Sequence, residues 1–291
     1  DKVNLPRRTE KATLSSDISA RQQVMRSIEF FETHPVFTHS EFAEAHSRGG
    51  QRSRHTSNNL LAKHVAAGRI LRVRRGLYAT VPRGLEAANA PVDPYLVATK
   101  LTDDAVVAYH AALQFHGRAY SLWRRFHYLT RGRNRRFSFL NLEFVPVQVP
   151  AAVRDLPNLG GGIVERRHTG GVVRVTTLER TLVDVLDAPH RCGGWEEVWR
   201  SLEMVEFFDL DAVIDYTRKL ASSLTAARVG FFLDQHREAL MAEGGHLDAL
   251  RELAPSAPRY LDSKREPGQL VSAWNLIVPQ WVLARAWLEI E

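Results

Sequence analysis

The chain is poor in cysteine and has no long apolar run, no internal repeat and no low-complexity tract. With Cys192 as the only cysteine among 291 residues, an internal disulfide and a cysteine-built zinc site are excluded, in keeping with a reducing compartment. No stretch is apolar for long enough to cross a bilayer, and the polar start DKVNLPRRTEK lacks the hydrophobic segment of a signal peptide. A cytoplasmic protein without a membrane partner is expected. The twelve histidines are scattered, with no H-x-x-x-H or H-E-x-x-H pair to place two imidazoles on one helix face, so no metal site is expected. Leu159-Gly160-Gly161-Gly162 lacks the G-x-G-x-x-G order and precedes a strand pattern, which makes it a turn; no cofactor is expected. Cys192, in HRCGGW, has no base-and-acid pattern nearby and does not read as a nucleophile.

What the chain does have is an uneven charge. Residues 1–83 hold 15 Lys/Arg against 7 Asp/Glu, a net of +8, whereas the remainder holds 24 against 26, a net of −2. A positive patch concentrated in the first third is the electrostatic footprint of a phosphate backbone, and a near-neutral remainder suits protein or small-molecule contacts.

The basic third is patterned for reading DNA. Residues 1–17 form a polar arm, and Val24, Ile28 and Phe31 recur at helical spacing between Ser19 and Glu32. Thr38 and Glu41 then form a T-x-x-E capping box, with Phe37 and Phe42 at the positions of a hydrophobic staple, predicting a helix over Thr38–His46. SRGGQ at 47–51 must turn sharply, and Ser53 caps a second helix. At helical spacing Ser57, Leu60, Leu61, His64, Val65 and Gly68 share one side, while Arg52, His55, Thr56, Asn59, Ala62, Lys63 and Ala66 share the other. Gly68 reads as its C-terminal cap, and Ile70–Val73 and Leu77–Val81 flank an Arg74-Arg75-Gly76 turn. Helix, turn, basic helix and basic hairpin in this order predict a winged helix-turn-helix over residues 18–83. The candidate DNA contacts are Arg48, Gln51, Arg52, Arg54, His55, Thr56, Asn58, Asn59 and Lys63 on or before the second helix, and Arg72, Arg74 and Arg75 on the hairpin.

After a Pro/Ala/Gly-containing linker, a second domain is expected over residues 93–291. Asp93-Pro94 is an N-cap followed by proline at the first helical position; the pattern predicts a helix to Leu101, then another from Thr102 or Asp103 to Gly117. Phe126–Thr130, Leu142–Val149, Ile163–His168 and Val172–Thr176 read as strands, the last two a hairpin about Gly170-Gly171. A capping box at Thr176 and Glu179 opens a helix over Leu178–Leu186; further helices are expected over Trp195–Met204, Leu210–Leu220 and Thr225–Met241, and an irregular loop over residues 255–270. Strands followed by helices make the fold class α+β. Arg180, Asp184 and Asp187 share a helical face, with Glu179 beside them; this predicts an arginine clamped between acids on a helix surface.

Four segments carry a family resemblance. These are Ala108-Tyr109-His110-Ala111-Ala112-Leu113 through His116-Gly117, LERTLVDVLDAPHRCGGWEEVWRSL from Leu178 to Leu202, ARVGFFLDQ from Ala227 to Gln235, and RYLDSK from Arg259 to Lys264. Together with the basic N-terminal module, the chain resembles an AbiEi-type antitoxin over nearly its whole length. The resemblance implies a toxin–antitoxin operon in which the N-terminal domain represses its own promoter, commonly at inverted repeats, and the C-terminal domain neutralises a nucleotidyltransferase-like toxin. It places Glu179, Arg180, Thr181, Asp184 and Asp187 on the signature helix of that domain and does not imply direct contact with the toxin.

The expected function is that of a non-enzymatic autorepressor and antitoxin whose partners are double-stranded promoter DNA and the cognate toxin, with a dimer expected on a palindromic site. Two alternatives stand beside it. One is a repressor whose second domain senses a small ligand; the other is a metal-dependent nuclease using Glu179, Asp184 and Asp187, targeted by the winged helix.

Overall fold

Residues 25–47 and 54–288 are described by the computed structural model, in two units: one runs to Leu101 and includes residues 167–172, the other comprises residues 102–166 and everything from Val173 onward. The polar arm, the turn after Ser47 and the Ser53 cap lie outside the described residues.

The first unit is built on an aromatic cluster. Its elements are α1 (residues 25–33), β1 (Val36–Thr38), α2 (His39–His46), α3 (Arg54–Ala66), β2 (Ile70–Arg74), β3 (Leu77–Thr80) and α4 (Pro94–Thr99). Helix α2 starts where the sequence signals it. Thr38 Oγ1 accepts from the Glu41 amide at 3.3 Å, and the Thr38 amide donates to Glu41 Oε2 at 2.7 Å, which satisfies two otherwise orphaned donors. The staple is present too, with the Phe37 and Phe42 rings 6.0 Å apart. Phe30, Phe31, Phe37, Phe42, Leu61 and Ile70 bury together beneath Tyr78. Strands β1, β3 and β2 form an antiparallel sheet in that order, with a bulge between Arg72 and Arg74. The α4 signal also holds: Asp93 accepts from the Tyr95 and Leu96 amides, each at 3.0 Å, with Pro94 at the first position.

The second unit is α+β. Its elements begin with β4 (Val106–Val107), α5 (His110–Phe115), β5 (Arg125–Thr130), β6 (Phe137–Phe139), β7 (Leu142–Gln148), α6 (Ala151–Arg154), β8 (Ile163–His168) and β9 (Gly171–Thr176), except that residues 167–172 at the tip of the β8–β9 hairpin belong to the first unit. The six strands form one mixed sheet in the order β6-β7-β5-β4-β9-β8. There follow α7 (Leu178–Asp187), α8 (Trp195–Glu203), α9 (Leu210–Leu220), α10 (Ser223–Gln235) and α11 (Gly244–Leu253). A small sheet of β10 (Arg259–Tyr260), β11 (Gln269–Val271) and β12 (Leu276–Val278) comes next, and then α12 (Gln280–Leu283).

Four expectations are corrected. Residues 102–109 are not helical: Val106 and Val107 form β4, wholly buried between β5 and β9. A two-residue apolar strand is too short to show a period and is indistinguishable in sequence from a helix interior. The cap of α7 is Thr177, whose side chain accepts from the Arg180 amide, and Thr176 instead hydrogen-bonds the Thr181 hydroxyl at 2.7 Å. Helix α10 stops at Gln235, and the apolar spacing that continues to Leu240 lies on turns. Within residues 255–270, β10 and the start of β11 pair with β12 in a sheet of two- and three-residue strands that carry no alternation signal. Among the described residues no helix is long and apolar enough to cross a membrane.

Helix α7 is the axle of the second unit. Leu182, Val183, Val185 and Leu186 are fully buried, and α5, α8, α9 and α10 all pack on it. All seven residues from Arg180 to Leu186 are buried, three of them polar, so the helix has neighbours on every side. Helix α10 brings the C-terminal sheet to this core through Gly230, where a Cβ would lie 2.0 Å from the Trp274 ring.

Glycine inside a helix ordinarily costs roughly 1 kcal/mol relative to alanine. Packing reverses the sign here. Gly230→Ala should destabilise the second unit by about 1–3 kcal/mol, the usual range for overpacking, and urea unfolding followed by tryptophan fluorescence measures it. An unchanged or raised midpoint would show that Trp274 yields at no cost.

Candidate nucleic-acid interface

Helix α3 presents two chemically distinct faces. Ser57, Leu61 and His64 are buried against the aromatic cluster, whereas Thr56, Asn58, Asn59, Ala62, Lys63 and Ala66 are exposed. The outer face therefore combines amide and ammonium groups with two alanines, which leave the backbone approachable. Helix and hairpin are joined tightly: the Arg69 amide donates to the His64 carbonyl at 3.0 Å, and the Val81 amide to the Arg69 carbonyl at 2.9 Å.

Between α3 and the β2–β3 hairpin runs a groove of about 530 Å³, lined among others by Asn58, Ala62, Arg72 and Arg75, with His39 and Tyr78. Asn58, Arg72 and Arg75, chosen from sequence, are brought together there. Thr56, Asn59 and Lys63 occupy the exposed face of the same helix. Arg74 does not join them: it is half-buried, and its guanidinium donates to the Leu101 carbonyl. Arg48, Gln51 and Arg52, and the side chains of Arg54 and His55, lie outside the described residues.

His39 was not legible as a groove residue. Its position at the first turn of α2 gives no periodic signal; it reaches the groove because its amide donates to the Gly76 carbonyl at 2.8 Å, tying α2 to the hairpin turn. Its buried Nε2 has no protein partner.

Behind the groove, the His64 imidazole packs edge-on to Phe31 at 4.9 Å, and neither ring nitrogen has a hydrogen-bond partner. Burial, followed by the Arg69 charge, lowers its pKa to about 4, so at neutral pH it is an uncharged core group.

The carboxylates of α7 have a different fate. Arg180 and Asp184 are 1% and 2% exposed, so the arginine expected on a helix surface is inside the core. Arg180 Nη1 donates to the carbonyls of Leu159 at 2.9 Å and Gly161 at 2.7 Å, and its Nε lies 3.4 Å from Asp184 Oδ2. The Tyr216 hydroxyl donates to Asp184 Oδ1 at 2.8 Å, and the Arg180 guanidinium sits over the Tyr216 ring at 4.6 Å. Burial pushes the Asp184 carboxyl above the usual range against the opposing Arg180 charge. The glycine turn read from sequence is the cradle of this arginine: Gly162 has φ +64° and a Cβ there would stand 2.7 Å from Arg180 Cβ.

The three acids do not converge. Asp184 is bound inside, Asp187 accepts from the Thr225 hydroxyl, and Glu179 is half-buried beside the Asp209 amide at 3.5 Å. Thr181 donates to the Thr177 carbonyl at 2.6 Å. Among the described residues there is no group of three or more His, Cys, Asp or Glu able to hold a metal ion. Cys192 is fully buried, and burial pushes its thiol up.

Two consequences are measurable. Removing one partner of a buried pair leaves the other charge uncompensated, so Asp184→Ala should cost about 3–5 kcal/mol in chemical denaturation; a loss under 1 kcal/mol would show that Arg180 is satisfied by the carbonyls alone. His64 is protonated in the unfolded chain near pH 6.5 but only near pH 4 when folded. The stability it permits is full above about pH 6.5 and lost as pH falls towards 4, a change of up to about 3 kcal/mol. The fall in melting temperature between pH 7 and pH 5 should accordingly be smaller for His64→Leu than for the parent, and equal falls would count against this assignment.

No protein family and no curated protein sequence matches the chain. Among solved structures, the crystal structure of the Rv2827c protein from Mycobacterium tuberculosis is similar, with a TM-score of 0.55 and 16% identity, over 86% of this chain and 89% of that one. At that identity the likeness is one of fold.

Proposed function

We propose that this protein is a cytoplasmic DNA-binding transcriptional autorepressor and antitoxin, the first unit being a winged helix-turn-helix reader. In this reading α3 is the recognition helix and the β2–β3 hairpin its wing. The observation that carries the reading is the groove that sets Asn58 of α3 beside Arg72 and Arg75 of the hairpin, on a face whose exposed helical residues are polar or small. An amide side chain can address an adenine edge with two hydrogen bonds, whereas Lys63, Arg72 and Arg75 suit phosphates. The +8 balance of residues 1–83 agrees with a phosphate partner.

The antitoxin half rests on the resemblance carried by the α5, α7–α8, α10 and β10 segments. It assigns the second unit to neutralising a nucleotidyltransferase-like toxin, without requiring direct contact. Glu179, Arg180, Thr181, Asp184 and Asp187 serve in this reading as the helix that holds the antitoxin unit together, since Arg180 and Asp184 spend their polar atoms on its interior. The same commitments weigh against the nuclease alternative. Ligand-responsive repression is the second reading, favoured by a wide groove in the second unit lined by both cations and aromatic rings. A dimer on inverted repeats follows from helix-turn-helix logic.

Promoter binding tests the proposal. Affinity for the chain's own promoter should fall steeply between about 50 and 200 mM salt. Asn59→Ala should cost about 1–3 kcal/mol on the promoter and little on unrelated DNA, and Lys63→Ala should weaken both and reduce the salt slope by about 1. Each variant should still rescue cells expressing the toxin. A salt-independent affinity would remove the DNA reading, and loss of rescue in these folded variants would remove the division of labour.

A further inference from the structure

The second unit contains a cavity that neither promoter binding nor the α7 network uses. It is an open groove of about 1060 Å³, bordered by the turn between α7 and α8, the start of α10, the segment from β10 to Arg265, and Trp281 of α12. That is the size class of small-molecule clefts, roughly 300–1,000 Å³.

Its acids are already engaged. Asp262 accepts from Trp195 Nε1 at 3.1 Å and from the Lys264 amide at 2.8 Å, Asp187 accepts from the Thr225 hydroxyl, and Glu196 lies 3.2 Å from Arg200 Nε. Arg259 and Arg265 are exposed and pair with no acid among the described residues, whereas Lys264 pairs with Glu266 at 3.9 Å. The lining thus sets four cations, Arg228, Arg259, Lys264 and Arg265, against three carboxylates, Asp187, Glu196 and Asp262, of which Glu196 is balanced by Arg200.

Arg228 gives the groove a fixed anchor. It is 6% exposed, and its Nε donates to the Leu261 carbonyl at 2.7 Å while Nη1 donates to the carbonyls of Leu186 at 3.1 Å and Asp187 at 2.8 Å. Nη2 is left without a protein acceptor in a residue that lines the groove. A guanidinium locked by main-chain carbonyls and left with spare donors is pre-organised for an anionic oxygen.

Two exposed aromatic rings join the buried Trp195 in the lining. Tyr260 and Trp281 are each 39% exposed, a large apolar area to leave in water beside the unpaired Arg259 and Arg265, and Trp281 Nε1 is held by Glu266 Oε2 at 3.0 Å. An inorganic anion would use the cations and not the rings; an apolar ligand would do the reverse. A flat heterocycle carrying phosphates uses both, because bases stack on aromatic faces in a sequence-tolerant way and arginine pairs with phosphate oxygens.

We infer that this groove is a nucleotide site, with the base on Trp281 and Tyr260 and the phosphates held by Arg228, Arg259 and Arg265. The inference does not depend on the DNA reading, because it concerns residues outside the first unit and is read out with free nucleotides.

Calorimetric titration of the full chain with ATP, GTP, CTP and UTP, and separately with tripolyphosphate and a short single-stranded RNA, tests it. At least one nucleotide is expected to bind about tenfold or more tightly than tripolyphosphate, and Trp281→Ala and the pair Arg259→Ala/Arg265→Ala are each expected to weaken it by about tenfold. Trp281→Phe keeps an aromatic face and should retain binding, which separates loss of stacking from loss of fold. The inference is overturned if no nucleotide binds, if tripolyphosphate binds as well as the best nucleotide, if the RNA outcompetes every nucleotide, or if the arginine pair can be replaced without effect.

Discussion

The second unit depends on a charge that has been taken out of water. Arg180 stands at the first turn of α7 with its guanidinium on the carbonyls of Leu159 and Gly161, beside Asp184 and over Tyr216. Desolvating such a group is costly unless each of its donors finds an acceptor, and one of them, Nη2, finds none. The compensation is spread over three separate pieces of chain: the glycine turn before β8, α7 itself, and α9 through Tyr216. Those pieces must arrive together for the arginine to be tolerated. Gly162 is part of the same constraint, since any side chain there would occupy the space of Arg180 Cβ. A polar network of this kind specifies one arrangement of elements more sharply than apolar packing alone, because a slipped register leaves a buried charge without its partners.

The first unit is organised by the opposite principle. Its centre is a set of phenylalanines with a neutral His64 and a hydrogen-bonded Ser27–His46 pair among them, and the amide and basic groups of α3 and the hairpin lie outside. The proposed reading face is thus a by-product of how tightly the inner face packs. Ser57, Leu61 and His64 fix the rotation of α3, and that rotation decides which amides and ammonium groups are presented. The bulge between Arg72 and Arg74 acts similarly on the hairpin: Arg72 and Arg75 remain exposed, and Arg74 turns to the Leu101 carbonyl.

Local chemistry made much of this legible in the sequence. The capping box at Thr38, the staple of Phe37 on Phe42, the Asp93-Pro94 start and the buried side of α3 are all determined within one or two turns of chain, where spacing and hydrogen-bonding capacity suffice. Legibility failed where an element was too short to carry a period, as at Val106-Val107 and in the small sheet of Arg259, Gln269 and Leu276. It also failed where two residues were equally able to cap. Thr176 and Thr177 differ only in which hydroxyl the chain direction offers to the Arg180 amide, and β9 running to Thr176 decides it.

The sequence by itself determined the separation of charge, the aromatic inner face of the first unit, the amphipathic split of α3, and the co-linearity of arginine and aspartate on α7, because each is a property of neighbours along the chain. Tertiary structure alone decided which of those charges would see water. Arg180 and Asp184 could have formed an ordinary exposed pair; they are interior because α9 and the glycine turn close over them. Arg228 lies some thirty residues before Arg259 and Arg265, and the three line one groove because β10 pairs with β12 next to the start of α10. Burial depends on what arrives from elsewhere in the chain, and that information is not local.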